Sequence, residues 1–113
     1  MTTVICTSSH TDDARVASIS GALPGAAVAR FDPNGLSPAI AMAQALPYYT
    51  AVFANQKPSL VIVIGDGPAM LAAALAAYFL QVPLTHLGED GTDEVALREC
   101  IANLAGVNWT FNE

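Results

Sequence analysis

The segment from Lys57 to Asp90 constrains the fold most, because it contains one complete strand–helix–strand unit. Its continuous apolar run, Leu60–Ile64, is typical of a parallel strand buried on both faces. A Gly-Asp-Gly turn, an Ala-rich helix over Pro68–Leu80 and a short strand over Val82–Thr85 follow in that order. A strand joined to the next strand by a helix predicts a parallel sheet, with polar residues gathered where the strands end.

The rest of the chain repeats this alternation of strand and helix. Right-handed crossovers then place helices on both faces of one sheet. We therefore predict a single doubly wound, Rossmann-like α/β domain over residues 1–113, with about five parallel strands. The remaining predicted strands are Thr3–Cys6, Ala27–Phe31 and Val107–Phe111, and the remaining helices span about 12–20, 38–55 and 93–104.

The second of these helices has a clear start and an interruption. Ser37 followed by Pro38 is typical of an N-cap and the first helical residue. Pro47 is predicted to kink the helix or split it in two, because proline lacks the N–H that an interior turn needs. The residues expected on its apolar face are Ile40, Ala43, Leu46 and Ala51.

Composition excludes two classes of partner. The 113 residues are 53% hydrophobic, and the formal net charge is −6 with only four Lys and Arg residues. No basic cluster is present to neutralise a nucleic-acid backbone or an anionic membrane surface. We expect no nucleic-acid partner and no membrane association.

The cysteines and the N-terminus indicate a compartment. Cys6 and Cys100 fall on a predicted strand and a predicted helix, outside any ligand-spaced cluster, and are interpreted as buried free thiols. Free thiols favour a reduced, cytoplasmic setting. Met1–Thr3 lacks the basic residues of a secretory leader. No residue pattern predicts a metal site, and we expect no cofactor.

Four polar residues lie where the two strands of the first segment end. Asp66 follows the central strand between Gly65 and Gly67, in a turn that can present backbone N–H groups to an anion. The turn lacks the Walker and GxGxxG patterns, so an ordinary tight turn with Asp66 as a helix cap remains open. His86 comes just before Glu89 and Asp90 and is a candidate acid–base group with them, or a structural hydrogen-bonding residue.

The first strand–helix turn lies at the same predicted edge of the sheet. It contains Ser8, Ser9 and His10. Adjacent residues on a turn rarely face one another and GxSxG is absent, which argues against a Ser nucleophile. Helix capping and phosphate contact are the predicted roles.

The motifs of the first segment resemble the UDP-N-acetylglucosamine 2-epimerase family, most closely its hydrolysing branch. That family's run is a KPD strand, GDR or GDT, a helix like EMLAAALAA, an Ile-Pro strand and then AHIEGG or AHVEAG. This chain has KPSLVIVIGDG, PAMLAAALAA, VPLTH and LGED. The likeness is specific from Lys57 to His86 and looser over the rest of the chain.

The resemblance carries over residue by residue. It implies that Asp66 matches the family's catalytic Asp and that His86 matches the His of AH-x-E. Gly88 falls on the family's Glu, so Glu89 or Asp90 would stand in for it. Two basic positions depart from the pattern: Ser8 falls where the family has a phosphate-binding Arg, and Gly67 falls where it has Arg or Thr.

The resemblance also implies a functional context. The family has two Rossmann-like domains with the UDP-sugar between them, and this chain looks like the first domain alone. We expect a non-catalytic module that binds a nucleotide, a sugar or a protein, and that pairs as a homodimer or with another partner through residues 68–80. A small acidic domain of this form is expected of phage proteins. The alternative is a UDP-N-acetylhexosamine 2-epimerase that completes its site as a dimer or with a second chain, using Asp66, His86 and Glu89.

A signalling domain like a response regulator is a third reading. Asp66 ends a central strand, as such a domain requires. The paired acids on the first strand and the late Lys of that class are missing, which argues against it.

Overall fold

The predicted order of strands and helices is confirmed. The computed structural model describes residues 2–8, 13–23, 25–33, 35–65, 67–89, 99, 101, 103–105 and 107–111. Of the predicted last helix, residues 99, 101, 103 and 104 are described and helical. The other elements are β1 (Thr3–Ser8), α1 (Asp13–Ala22), β2 (Ala27–Phe31), α2 (Pro38–Gln56), β3 (Leu60–Ile64), α3 (Pro68–Phe79), β4 (Leu84–Glu89) and β5 (Val107–Phe111).

The strands form one parallel sheet in the order β2-β1-β3-β4-β5. The chain moves from β1 outward to β2, then returns across β1 to β3 and continues to β4 and β5. The direction of winding therefore reverses between β1 and β3, which is the topological switch point of a doubly wound sheet. This arrangement confirms the predicted fold class.

Side chains alternate between the two faces of the sheet and build two apolar clusters. On one face, Val16 of α1 packs with Ile5, Ile62, Ile64 and Leu87. On the other face, the strand residues pack beneath α2 and α3; they include Val4, Cys6, Val61, Val63 and Leu84. Cys6 is a buried free thiol, as predicted, while Cys100 lies outside the described residues.

Helix α2 begins as predicted but is not split. The Ser37 hydroxyl accepts a hydrogen bond from the Ile40 N–H at 3.4 Å, and Pro38 is in the first helical turn. The helix then runs without a break through Pro47 to Gln56. Pro47 and Ala43 are both exposed, so water can hydrate the Ala43 carbonyl that a proline N–H cannot reach.

The predicted apolar face of α2 is wrong except at Leu46, which is half-buried and packs against the core. Ile40 is 48% exposed, and the buried stripe consists of Ala41, Ala45, Tyr49 and Phe53. These residues follow one another at intervals of four, which places them on one side of a helix. The helix is apolar on several sides, so its sequence alone does not select the face that packs on the sheet.

Alanine makes up half of helix α3, which suits a helix that is enclosed on two sides. Met70 and six alanines of this helix are buried, and the helix packs against both α2 and the sheet. Tyr78, Phe79 and Leu80 at its C-terminal end are exposed. Within the described residues, no helix combines the length and the apolar character that crossing a membrane requires.

Two strands extend further than predicted, towards the candidate site. β1 continues past Cys6 to Ser8. β4 begins at Leu84 rather than Val82 and continues to Glu89. His86 is consequently the third residue of a strand, paired with Val63 on one side and Asn108 on the other. The prediction that His86 ends the strand and adjoins a loop is wrong.

Candidate functional site

The direction of winding reverses between β1 and β3, and in doubly wound sheets a crevice lies outside the carboxyl ends of the strands at that point. β1 pairs with β3 only as far as Cys6 and Val63, and the two chains then continue to opposite faces of the sheet. Helix α1 packs on one face and α3 on the other. In sheets of this kind, ligands bind outside the strand ends at such a point.

The turn from β3 to α3 forms one wall of this crevice. Gly65 has a φ of 109°, a conformation that favours glycine, and its N–H donates a hydrogen bond to the Leu87 carbonyl at 3.0 Å. Gly67 is the N-cap of α3 and has no side chain with which to cap the first turn. The N-terminal end of α3 therefore points its partial positive charge towards this edge of the sheet.

Gly67 leaves open space at the crevice. Its φ is −78°, which any residue can adopt. A Cβ atom built at this position meets no other atom within 4 Å. The residue is also partly exposed. A residue with a Cβ atom is therefore compatible with this position.

His86 lies beneath the turn rather than on its surface. Its side chain is only 2% exposed, and its Nε2 is 3.1 Å from the Gly65 carbonyl oxygen. A carbonyl only accepts hydrogen bonds, so this nitrogen carries the proton and donates it. The described contact of His86 is thus to the backbone of the β3 turn. Its role as an acid–base group remains a prediction.

Tyr49 makes the corresponding contact at the end of β1, and the sequence reasoning missed it. Its hydroxyl donates a hydrogen bond to the Thr7 carbonyl at 3.0 Å, and both residues are fully buried. Burial, followed by the nearby Cys6 thiol, raises the pKa of Tyr49, and burial also raises the pKa of Cys6. The available signal was the spacing of Tyr49 four residues after Ala45 and four before Phe53.

The predicted site residues are partly located by the structure. Ser8 is the last residue of β1 and Glu89 the last residue of β4, so both lie at the carboxyl edge, on strands that flank β3. Gly65 and Gly67 border the crevice itself. The other predicted residues, Ser9, His10, Asp66 and Asp90, lie outside the described residues.

Two of the described cations lie at opposite edges of the sheet. Arg30 of β2 is in register with Thr7, close to the carboxyl edge, whereas Lys57 caps the C-terminal end of α2 at the opposite edge. In the described part of the chain, no three His, Cys, Asp or Glu side chains form a group that could hold a metal ion.

Comparison with known proteins identifies the family. The family model described as UDP-N-acetylglucosamine 2-epimerase matches residues 1–113. The UDP-N,N'-diacetylbacillosamine 2-epimerase (hydrolyzing) of Legionella pneumophila is 38% identical over 68 residues, a match that covers 58% of this chain and 18% of that protein.

Solved structures show the same fold. The UDP-GlcNAc 2-epimerase of Methanocaldococcus jannaschii superposes with a TM-score of 0.81 at 16% identity, over 99% of this chain and 40% of that chain. The Neisseria meningitidis UDP-GlcNAc 2-epimerase bound to UDP-GlcNAc superposes with a TM-score of 0.75 at 17% identity, over 93% of this chain and 39% of that chain. This chain therefore spans well under half the length of these proteins, and it belongs to the UDP-N-acetylglucosamine 2-epimerase family.

Proposed function

We propose that the chain binds a UDP-N-acetylhexosamine, or its nucleotide part, in the crevice between the ends of β1 and β3, without turning it over. The observation that carries this proposal is the Gly65–Gly67 turn, which follows β3 at the switch point of the sheet in a chain of this family. A relative with the same fold has been solved with UDP-GlcNAc bound. The chain would supply one wall of a nucleotide-sugar cleft.

The diphosphate is the part of the ligand that this wall suits best. The α3 N-terminus offers backbone N–H groups and a favourable dipole, and Gly67 lets an anion approach the backbone closely. Ser8, Ser9 and His10 of the facing turn are proposed as further phosphate contacts. Asp90, beyond the end of β4, is proposed as a contact to the sugar.

Weak charge complementarity is the reason to propose binding without catalysis. Ser8 and Gly67 stand where the family's basic residues are expected, and the net charge of −6 repels a diphosphate. Arg30 is a described cation in register with Thr7, near the end of β1. One wall gives little of the two-sided positioning and water exclusion that the reaction needs.

Catalysis by a completed cleft is the second candidate. It is favoured by the 38% identity to a hydrolysing 2-epimerase and by the presence of Asp66 directly after β3. Asp66 and Glu89 would then act as acid–base residues, with His86 assisting. A second polypeptide, or a second copy of this chain, would supply the other wall.

Thermal unfolding with UDP, UDP-GlcNAc and UMP tests the proposed binding. A ligand at a hundred times its dissociation constant adds about 2.7 kcal/mol to the free energy of unfolding. For a domain of this size we expect a rise in Tm of about 10 °C. Gly67→Asp, which fits the open space but adds a negative charge, should abolish the shift. A wild-type chain whose Tm does not respond to any of the three would refute the proposal.

Release of UDP from UDP-GlcNAc separates the two candidates. We expect none from the chain alone. Turnover that Asp66→Asn abolishes would establish the catalytic alternative, whereas turnover unaffected by this substitution would come from a contaminant.

We also propose that the C-terminal end of α3 carries a protein contact, between two copies of this chain. Tyr78, Phe79 and Leu80 are 55%, 72% and 43% exposed, and together they form an apolar patch on a chain with few charges. The preceding turns of α3 are covered by α2 and the sheet, so the contact is restricted to this end of the predicted 68–80 surface. Exposed apolar clusters of this kind commonly mark interaction sites.

Sedimentation velocity tests this contact. The wild-type chain should sediment as a dimer, and Phe79→Ser should sediment as a monomer with unchanged circular dichroism. Ala17→Ser, an exposed position on α1 across the sheet from this patch, is the control and should remain dimeric. A wild-type chain that stays monomeric at high concentration would refute the proposal.

A further inference from the structure

Two buried side chains donate hydrogen bonds to the backbone at the ends of the strands that border the crevice. The Tyr49 hydroxyl reaches the Thr7 carbonyl at 3.0 Å, and His86 Nε2 reaches the Gly65 carbonyl at 3.1 Å. The exposed fractions of Tyr49 and His86 are 0% and 2%. Neither side chain is therefore open to a ligand in the crevice.

Both carbonyls lie just beyond the part of the sheet in which β1 pairs with β3, while Thr7 still pairs with Arg30 of β2 and the Gly65 N–H still bonds to Leu87 of β4. The pairing of β1 with β3 ends at Cys6 and Val63, one residue before Thr7 and two before Gly65. Past that point the two chains diverge, and the sheet ladder between them no longer holds their backbones. A buried carbonyl strongly favours a donor, and these two side chains supply one at each strand end.

Both donors lie on the face of the sheet that α2 and α3 cover. Tyr49 belongs to the buried stripe of α2. His86 alternates with Leu84 along β4, so its side chain lies on the same face. The end of β1 is thus tied to α2, and the turn after β3 is tied to the neighbouring strand β4.

We propose that Tyr49 and His86 are positioning residues that hold the carboxyl end of β1 and the backbone of Gly65 after β3 in the geometry that accepts a diphosphate. This proposal rests on the proposed nucleotide-sugar binding. A wall held in one conformation loses less entropy when a ligand binds, so affinity should depend on both hydrogen bonds. Small displacements of positioning groups have large effects at such sites.

The experiment compares variants that remove a donor with variants that keep it. Tyr49→Phe removes only the hydroxyl, and His86→Leu removes the ring nitrogen. His86→Gln keeps an N–H donor of similar reach. Phe53→Leu, on the same stripe of α2, destabilises the core without removing a hydrogen bond and serves as the control matched for loss of Tm.

Calorimetric titration with UDP gives the first readout. We expect Tyr49→Phe and His86→Leu each to weaken binding about tenfold. Without the hydrogen bond the strand end becomes mobile, and the ligand must then order it on binding. His86→Gln should recover most of the affinity, and Phe53→Leu should bind as the wild type does. Equal affinities in Tyr49→Phe, His86→Leu and Phe53→Leu would overturn the proposal.

Amide hydrogen exchange gives a second readout that needs no ligand. The Gly65 N–H bonds to Leu87, and the Met70 and Leu71 N–H groups bond to Gly67, so these amides report on the β3 turn. Their exchange should accelerate more in His86→Leu than in Phe53→Leu, because only His86→Leu loosens this turn locally. A wild-type chain that does not bind UDP would refute the proposed function, while unaccelerated exchange in His86→Leu would overturn the positioning role.

Discussion

Replacing Ala73 with Leu tests whether α3 is held as closely between the sheet and α2 as its sequence suggests. Ala73 is fully buried in the cluster that joins α3, α2 and the strands. Leu adds three carbon atoms. A native core has few voids of that size, so the added atoms should force the helix away from its neighbours. Overpacking of this kind costs about 1–3 kcal/mol.

The direction of the change in stability caused by Ala73→Leu is informative as well as its size. If the cluster contained an unfilled cavity, burying the added carbon atoms would instead stabilise the fold by about 0.8 kcal/mol for each carbon atom. Ala51→Leu is the matched control, because Ala51 is exposed on α2 and Leu is nearly as good a helix former as Ala. Comparing the two variants separates the effect of burying the added carbon atoms from the effect of the change in helix propensity.

Differential scanning calorimetry of the two variants provides the measurement. For a domain of about this size, Ala73→Leu should lower Tm by about 4–12 °C, while Ala51→Leu should change it by about 1 °C or less. An unchanged or higher Tm for Ala73→Leu would refute the argument that alanine is required where α3 packs against α2 and the sheet.

Three further predictions concern the site, the buried acids and α2. Gly67→Arg should tighten UDP binding about tenfold, because it places a cation beside the diphosphate, while the same change at the distant Gly21 should have little effect; calorimetric titration compares them. Burial raises the pKa of Cys6 and Tyr49 above their ordinary 9.0 and 10.0. Unfolding then releases protons, so stability should be constant below about pH 9 and fall above it by up to about 1.4 kcal/mol per pH unit for each group; urea titrations should show a shallower fall for Tyr49→Phe. Pro47→Ala should stabilise the chain by up to about 3 kcal/mol in urea unfolding, and a lower urea midpoint would contradict this.

The sequence predicted the elements well because their signals are local. β2, β3 and β5 have the predicted bounds, and β3 is a continuous apolar run that only a doubly covered strand can bury. The Ser37 cap and the first-turn Pro38 also depend on adjacent residues alone. Alternation of strand and helix then leaves a doubly wound parallel sheet as the expected architecture.

The site was predicted only in part. The turn at Gly65–Gly67 could be read directly, because glycine at this place signals a positive φ or a close approach. The extension of β4 to Glu89 could not, since His86 and Gly88 are weak strand residues that pairing with β3 and β5 stabilises. His86 was consequently predicted at the rim, although it lies buried within the strand.

The sequence alone determined the class of fold and the family, because short-range patterns and motifs carry that information, and it located the candidate site at the carboxyl edge of the sheet. Only the tertiary structure decided which stripe of α2 is buried, that α2 continues through Pro47, and that Tyr49 and His86 reach the carbonyls at the strand ends. These features join residues far apart in the chain. Their partners are chosen by packing and by the need to satisfy buried polar groups, which no local pattern records.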